Sequence, residues 1–191
     1  MTAFNAANEF QKQDNLEIAT FAGGCFWCTE AVFLKIEGVQ SVSPGYIGGE
    51  VSNPTYQEVT TGRTGHAEAI EIVFDSNLIS YGELLEVFFA THDPTTLNRQ
   101  GADVGTQYRS EVFYHTDEQK QITEEFISFL NSENAFGKPI VTATSQASTF
   151  YVAEDYHKNY YNRNSDQSYC TYVITPKMDK LKAYFQDKLK K

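Results

Sequence analysis

The chain has 191 residues, 41% hydrophobic, 14% aromatic and 21% charged, which is the composition of a globular domain large enough to bury a core without staples. Its formal net charge of -10 argues against nucleic acid and anionic membrane surfaces as partners, because an acidic surface repels phosphates. No apolar run reaches the roughly 18 residues of a membrane span, and the N-terminus lacks the basic and apolar regions of a secretory leader, so a cytoplasmic protein is expected.

Residues 1–15 are polar and read as a loose arm ahead of a single domain over 16–191. Residues 16–21 alternate as a half-buried strand does. Gly23-Gly24 breaks that pattern, and a helix is expected from Phe26 to about Glu37. Residues 38–67 are rich in Gly, Pro, Ser, Thr and Asn and read as irregular, with a short strand at 39–42. Residues 69–74 read as a strand. Ser80 and Glu83 form a capping-box pattern ahead of a helix carrying Leu84, Leu85, Val87, Phe88 and Phe89. A loop over 93–110, a strand at 111–114 and a second cap pattern, Thr116 with Gln119, follow. The helix after that cap places Ile122, Phe126, Phe129 and Leu130 on one face. Segments 140–144 and 150–152 look extended, and Thr175-Pro176 opens a last helix with Met178, Leu181 and Phe185. Short strands mixed with helices, without a strict βαβ rhythm, point to an α+β fold of one sheet layer and packed helices.

The chemistry concentrates in residues 23–30, GGCFWCTE. Three cysteines are too few for a disulfide framework, and a close pair suits redox or metal chemistry. Cys25 falls on a strand–Gly–helix junction, where free N–H groups and the helix dipole favour a thiolate. A low-pKa Cys25 is therefore expected. Zinc would need about four ligands, and none of the His pairs drawn from His66, His92, His115 and His157 has finger spacing. In a thioredoxin-like oxidoreductase the aromatic residue precedes the first cysteine, whereas here Phe26 and Trp27 lie inside the pair. An apolar slot beside a nucleophile is one use of that aromatic pair; ordinary core packing is the other.

Gly-Cys-Phe-Trp followed by Glu30, after a short strand, resembles the A-type peptide methionine sulfoxide reductases, which act on the S epimer. The likeness continues, in the family's order, through Asn53-Pro54-Thr55-Tyr56 and Thr64-Gly65-His66-Ala67-Glu68. It then runs through Asp103 to Ser110, Phe150 to His157 and Tyr169-Cys170, covering roughly residues 16–182. The resemblance implies a two-layer α/β sandwich with a ferredoxin-like core and no bound cofactor. It implies that Cys25 attacks the sulfoxide sulfur and becomes a sulfenic acid. Glu68 would serve as the acid, Tyr56 and Tyr108 as hydroxyl donors to the departing oxygen, and Asp103 as an orienting group. Phe26 and Trp27 would hold the substrate methyl. Thioredoxin would recycle an intramolecular disulfide, and the enzyme would work as a monomer repairing oxidised methionine. Many family members have Gly where this chain has Cys28. Cys170 matches a distal resolving cysteine and is the preferred one, with Cys28 as its rival.

Overall fold

A computed structural model describes residues 15–191. The polar arm expected at 1–15 lies outside the described residues, apart from Asn15, whose carbonyl accepts from the Ser76 backbone and hydroxyl.

Four strands carry the fold: β1 (Leu16–Gly23), β2 (Val39–Ile47), β3 (Ala67–Asp75) and, after two two-residue strands, β6 (Ser110–Tyr114). They lie side by side in the order β6-β1-β3-β2, every neighbouring pair antiparallel. Helix α1 (Phe26–Phe33) connects β1 to β2, and α3 (Tyr81–Thr91) connects β3 towards β6. Two βα crossovers interleaved in this way are the ferredoxin-like arrangement that the resemblance implied. The edges are extended by β7 (Ala143–Gln146), parallel to β6, and by β8 (Tyr151–Val152), antiparallel to β2. The two small strands, β4 (Arg99–Gln100) and β5 (Asp103–Val104), form a separate hairpin.

The period-2 rule decides what the sheet shows to the helices. On β3, Ile70, Ile72 and Phe74 point into the main core with Phe21 of β1, Phe33 of α1 and Leu84 and Phe88 of α3. Ala67 and Ala69 point the other way, into a smaller cluster with Ala22, Ile47 and Phe113. Glu68 shares the parity of Ile70, so the sheet itself drives a carboxyl into the helix layer, where it is 1% exposed.

Both anticipated helix caps form. The Ser80 hydroxyl accepts from Glu83 N–H, and Glu83 accepts from Ser80 N–H. Thr116 accepts from Gln119 N–H at the start of α4 (Asp117–Ser132), but Gln119 turns its amide to His115 N–H and the Ile18 carbonyl instead.

Several boundaries differ from the sequence expectation. Helix α1 stops at Phe33, not Glu37, because the next residues tighten into i→i+3 bonds from Lys35 to Val32 and from Ile36 to Phe33. Strand β2 runs on to Ile47 where an irregular segment was expected. Pro44 and Gly45 read as breakers, yet Pro44 needs no N–H there, and its carbonyl accepts from Ala153 N–H at the sheet margin. The same segment holds α2 (Tyr56–Thr60), started by a Thr55–Glu58 capping box. The extended segment expected at 140–144 is displaced to β7. A four-residue helix, α5 (Tyr160–Arg163), and a π-helical turn (Cys170–Ile174) precede the last helix, α6 (Thr175–Tyr184), and Phe185 lies just past its end.

Candidate active site

Strand β1 delivers the chain to Gly24, whose φ of +92° turns it sharply into α1. A side chain there would be strained, and a Cβ would sit 2.6 Å from the Gln100 side chain. Cys25 is the N-cap of α1, 7% exposed, and the next residue's N–H donates to Glu68 Oε2 at 3.1 Å. One short turn thus sets a thiol and a carboxyl at the same helix start.

Burial is the main force on Glu68. It raises the carboxyl from an ordinary 4.5 to about 8, with Asp103 and Cys28 adding to the rise and the Phe26 N–H opposing it. At neutral pH this is a protonated acid, able to donate. Tyr56, the first residue of α2, and Tyr108, in the turn Thr106–Tyr108, are half-buried and held above the usual phenol range. Desolvation leads in both cases, followed by the charge of Glu68, and both phenols also sense Cys25.

Forces from outside the helix start work against the low-pKa Cys25 expected there. Burial, the contact with Cys28 and the Glu68 charge push its thiol up, which outweighs what an eight-residue helix supplies at its N-cap. Cys28 is the acidic member of the pair, lowered to about 7 chiefly by a hydrogen bond from Cys25, with Lys177 assisting. The two sulfurs titrate as a unit.

Aromatic rings enclose the site. Phe26 is fully buried, with ring centroids 5.8 Å from Tyr46, 6.5 Å from Tyr56 and 5.0 Å from His157. Trp27 stacks on Tyr160 at 3.7 Å and 6°, meets Tyr169 edge-on at 5.8 Å, and donates its indole N–H to His157 Nδ1 at 3.0 Å. Tyr169 donates to Asp103 Oδ2 at 2.7 Å, and its oxygen lies 3.7 Å from Cys28 Sγ. Asp103 therefore orients a phenol on the Cys28 side. A cavity of about 320 Å³ opens there, lined by Cys25, Cys28, Asp103, Tyr169 and Lys177 among others. Cys170 is fully buried at the start of the π-helical turn; burial raises its thiol, and the charge of Cys28 adds to that.

Cys25, Phe26, Trp27, Cys28, Tyr56, Glu68, Asp103 and Tyr108 gather around this center, and Cys170 is buried near enough to feel the charge of Cys28 without lining the cavity. Sequence reasoning missed Glu30, Glu154, His157, Tyr160 and Tyr169. Glu30 is 2% exposed and accepts from the Asn159 and Tyr160 N–H groups at 2.7 and 3.4 Å. Its signal was its fixed place four residues after Phe26; that of Glu154 and His157 was their place in the motif Phe150 to His157. Among the described residues, no three His, Cys, Asp or Glu side chains converge to hold a metal ion.

Fold and site together define a thiol oxidoreductase in which a cysteine and a buried acid meet at one helix start among aromatic rings. The model of the family "peptide methionine sulfoxide reductase" matches residues 17–189, and the chain belongs to that family. It is 62% identical over 174 residues to the peptide methionine sulfoxide reductase MsrA of Deinococcus radiodurans, covering 91% of this chain and 84% of the relative. Methionine sulfoxide reductase A of Corynebacterium diphtheriae superposes with a TM-score of 0.74 at 35% identity, over 80% of this chain and 77% of that one. Mxr1 of Saccharomyces cerevisiae in complex with Trx2 superposes with a TM-score of 0.50 at 26% identity, over 78% and 86%.

Proposed function

We propose that residues 16–191 form one catalytic domain that reduces the S epimer of methionine sulfoxide, free or in peptides, and so repairs oxidised proteins in a reducing compartment. The observation that carries this reading is Glu68: a buried carboxyl raised to about 8 and bonded to the first N–H of the helix that Cys25 caps. A sulfoxide oxygen leaves only if it is protonated, and a carboxylic acid at neutral pH is the donor that step needs.

Cys25 Sγ, as the thiolate, attacks the sulfoxide sulfur. Glu68 protonates the oxygen, Tyr56 and Tyr108 hydrogen-bond it, and Phe26 and Trp27 enclose the methyl. Oxygen passes to Cys25 as a sulfenic acid, and methionine leaves. Cys28 then attacks Cys25 Sγ, the sulfenic oxygen departs as water, and a Cys25–Cys28 disulfide forms. The placement of Cys25 and Cys28 together at the start of α1, against the full burial of Cys170, supports Cys28 over Cys170 as the first resolving thiol. The Mxr1 complex with Trx2 supports a thioredoxin dithiol as the reductant.

The test is turnover of separated S and R sulfoxides with thioredoxin, thioredoxin reductase and NADPH, for the wild type and Cys25→Ser. Reduction of the S epimer alone, lost in Cys25→Ser, is expected. Insulin disulfide reduction without sulfoxide turnover would instead make the protein a general dithiol oxidoreductase, which has no use for Glu68.

A further inference from the structure

Resolution of the Cys25 sulfenic acid needs Cys28 as an anion, and Cys28 is 2% exposed. A thiolate shut away from water is costly unless a positive charge or a donor answers it. The groups that act on Cys28 come from every element packed around it. They are Cys25 on α1, Glu68 on β3, Asp103 on β5, Tyr169 and Cys170 around the π-helical turn, and Lys177 on α6. The carboxyls, the phenol and the other two thiols are neutral or negative. Lys177 is the one cation among them.

The fold places Lys177 for this. It lines the 320 Å³ cavity together with Cys25 and Cys28. It also lines a neighbouring cavity of about 350 Å³ with His92, Asp93 and Lys180, and Gln100 and Pro176 are common to both. Met178 and Leu181 of the same helix are buried in the main core, which fixes α6 against α1. At its start the Thr175 hydroxyl donates to the Cys170 carbonyl at 3.1 Å, and Pro176 sets the backbone of the first turn.

Lys177 is half-buried in a chain that has 25 acidic residues against 15 Lys and Arg, yet it makes no ion pair with any described residue. Its charge goes instead to two buried groups. It lowers the Cys28 thiol, second to the hydrogen bond from Cys25 and against burial and Asp103, and it adds to burial in holding the His92 ring neutral.

We propose that Lys177 is a positioning residue of the resolving step: its ammonium, on the wall of the cavity that Cys28 lines, balances the charge Cys28 carries as it attacks the Cys25 sulfenic acid. In that step the Cys28 electron pair forms the S–S bond and the Cys25 S–O bond breaks. The oxygen takes a proton from solvent and leaves as water; Cys28 is oxidised and Cys25 reduced. This rests on the reading of Cys28 as the first resolving thiol.

The experiment compares wild type, Lys177→Gln and Lys177→Arg in the full chain. Each reduced protein receives one equivalent of S-methionine sulfoxide between pH 6 and pH 9. Rapid quenching with an alkylating agent follows the Cys25–Cys28 disulfide, and chromatography follows methionine. Gln keeps most of the stem and loses the charge; Arg keeps the charge. The disulfide step of K177Q is expected to be about two- to fourfold slower at pH 6, as for a Cys28 titration raised by about half to one unit and partly offset by the greater nucleophilicity of the weaker acid. The difference closes by pH 9, methionine release slows much less, and K177R follows the wild type. A K177Q disulfide step that matches the wild type at pH 6 overturns the proposal, as does one slowed equally at both ends of the range. A K177R protein as impaired as K177Q, or a first disulfide joining Cys25 to Cys170, overturns it too. If the wild type releases no methionine, the functional reading fails, and ultraviolet titration of the thiolate in the reduced proteins still judges Lys177: a K177Q midpoint equal to that of the wild type overturns its hold on Cys28.

Discussion

The backbone N–H of Phe26 donates to Oε2 of Glu68 across 42 positions of sequence, at 3.1 Å. This bond joins the helix that begins at the proposed nucleophile, Cys25, to the strand that carries the proposed acid. Glu68→Ala removes the proposed proton donor and is expected to slow sulfoxide reduction by about 10²–10⁴-fold, with the peptide's KM changed far less. Single-turnover kinetics at saturating substrate checks this.

The same carboxyl sets a pH dependence. The proposed mechanism needs Glu68 protonated, so the rate is expected to fall as the pH rises through about 8, and this limb is expected to be absent from the residual activity of Glu68→Gln. Stability follows the same sign. The folded value lies above the ordinary 4.5, so the native state holds an extra proton between about 4.5 and about 8. The contribution of Glu68 to stability is complete below that window and lost as the pH rises through it. Urea titrations at pH 4 and pH 9 should show Glu68→Gln gaining on the wild type only at the higher pH.

Cys28 owes its low value first to the hydrogen bond from Cys25. Thiolate absorbance should therefore titrate near pH 7 in the wild type. In Cys25→Ala the Cys28 titration should move upward, because the donor is gone while the burial remains.

The cysteine variants separate the two resolving candidates. Cys28→Ser is expected to lose most thioredoxin-supported turnover while keeping one methionine per enzyme in a single turnover. Cys170→Ser is expected to form the Cys25–Cys28 disulfide normally, as peptide mapping of the oxidised protein would show.

Glu30 is a buried carboxylate whose partners are the backbone N–H groups of Asn159 and Tyr160. Glu30→Ala leaves those groups unmatched and is expected to cost about 2–4 kcal/mol, read from urea denaturation.

Much of this was legible because it is local. The strand–Gly–helix junction at Cys25 and the Ser80–Glu83 cap follow from neighbouring residues and rules of period and capping. The resemblance brought Glu68, Tyr56, Tyr108 and Asp103 to attention from distant parts of the chain. Residues whose meaning depends on a partner far away stayed hidden: His157 meets Trp27 across 130 positions, and Tyr169 meets Asp103 across 66. The second half of strand β2, beyond the expected 39–42, was missed because Pro44 is a breaker in most strands, and its pairing at the sheet margin is a tertiary fact. The forces on the cysteine pair are likewise partly non-local. A helix start predicts a low-pKa Cys25, but burial and the nearby Glu68 act from outside the local sequence.

The central claim is that Cys25 takes the sulfoxide oxygen. It is tested most directly by exposing the Cys28→Ser, Cys170→Ser double variant to S-methionine sulfoxide with a sulfenic-acid trap and locating the adduct by mass spectrometry. One methionine per enzyme and a single adduct on Cys25 are the predicted result. Methionine formation with no adduct on Cys25, or no methionine from a folded protein, would contradict the account.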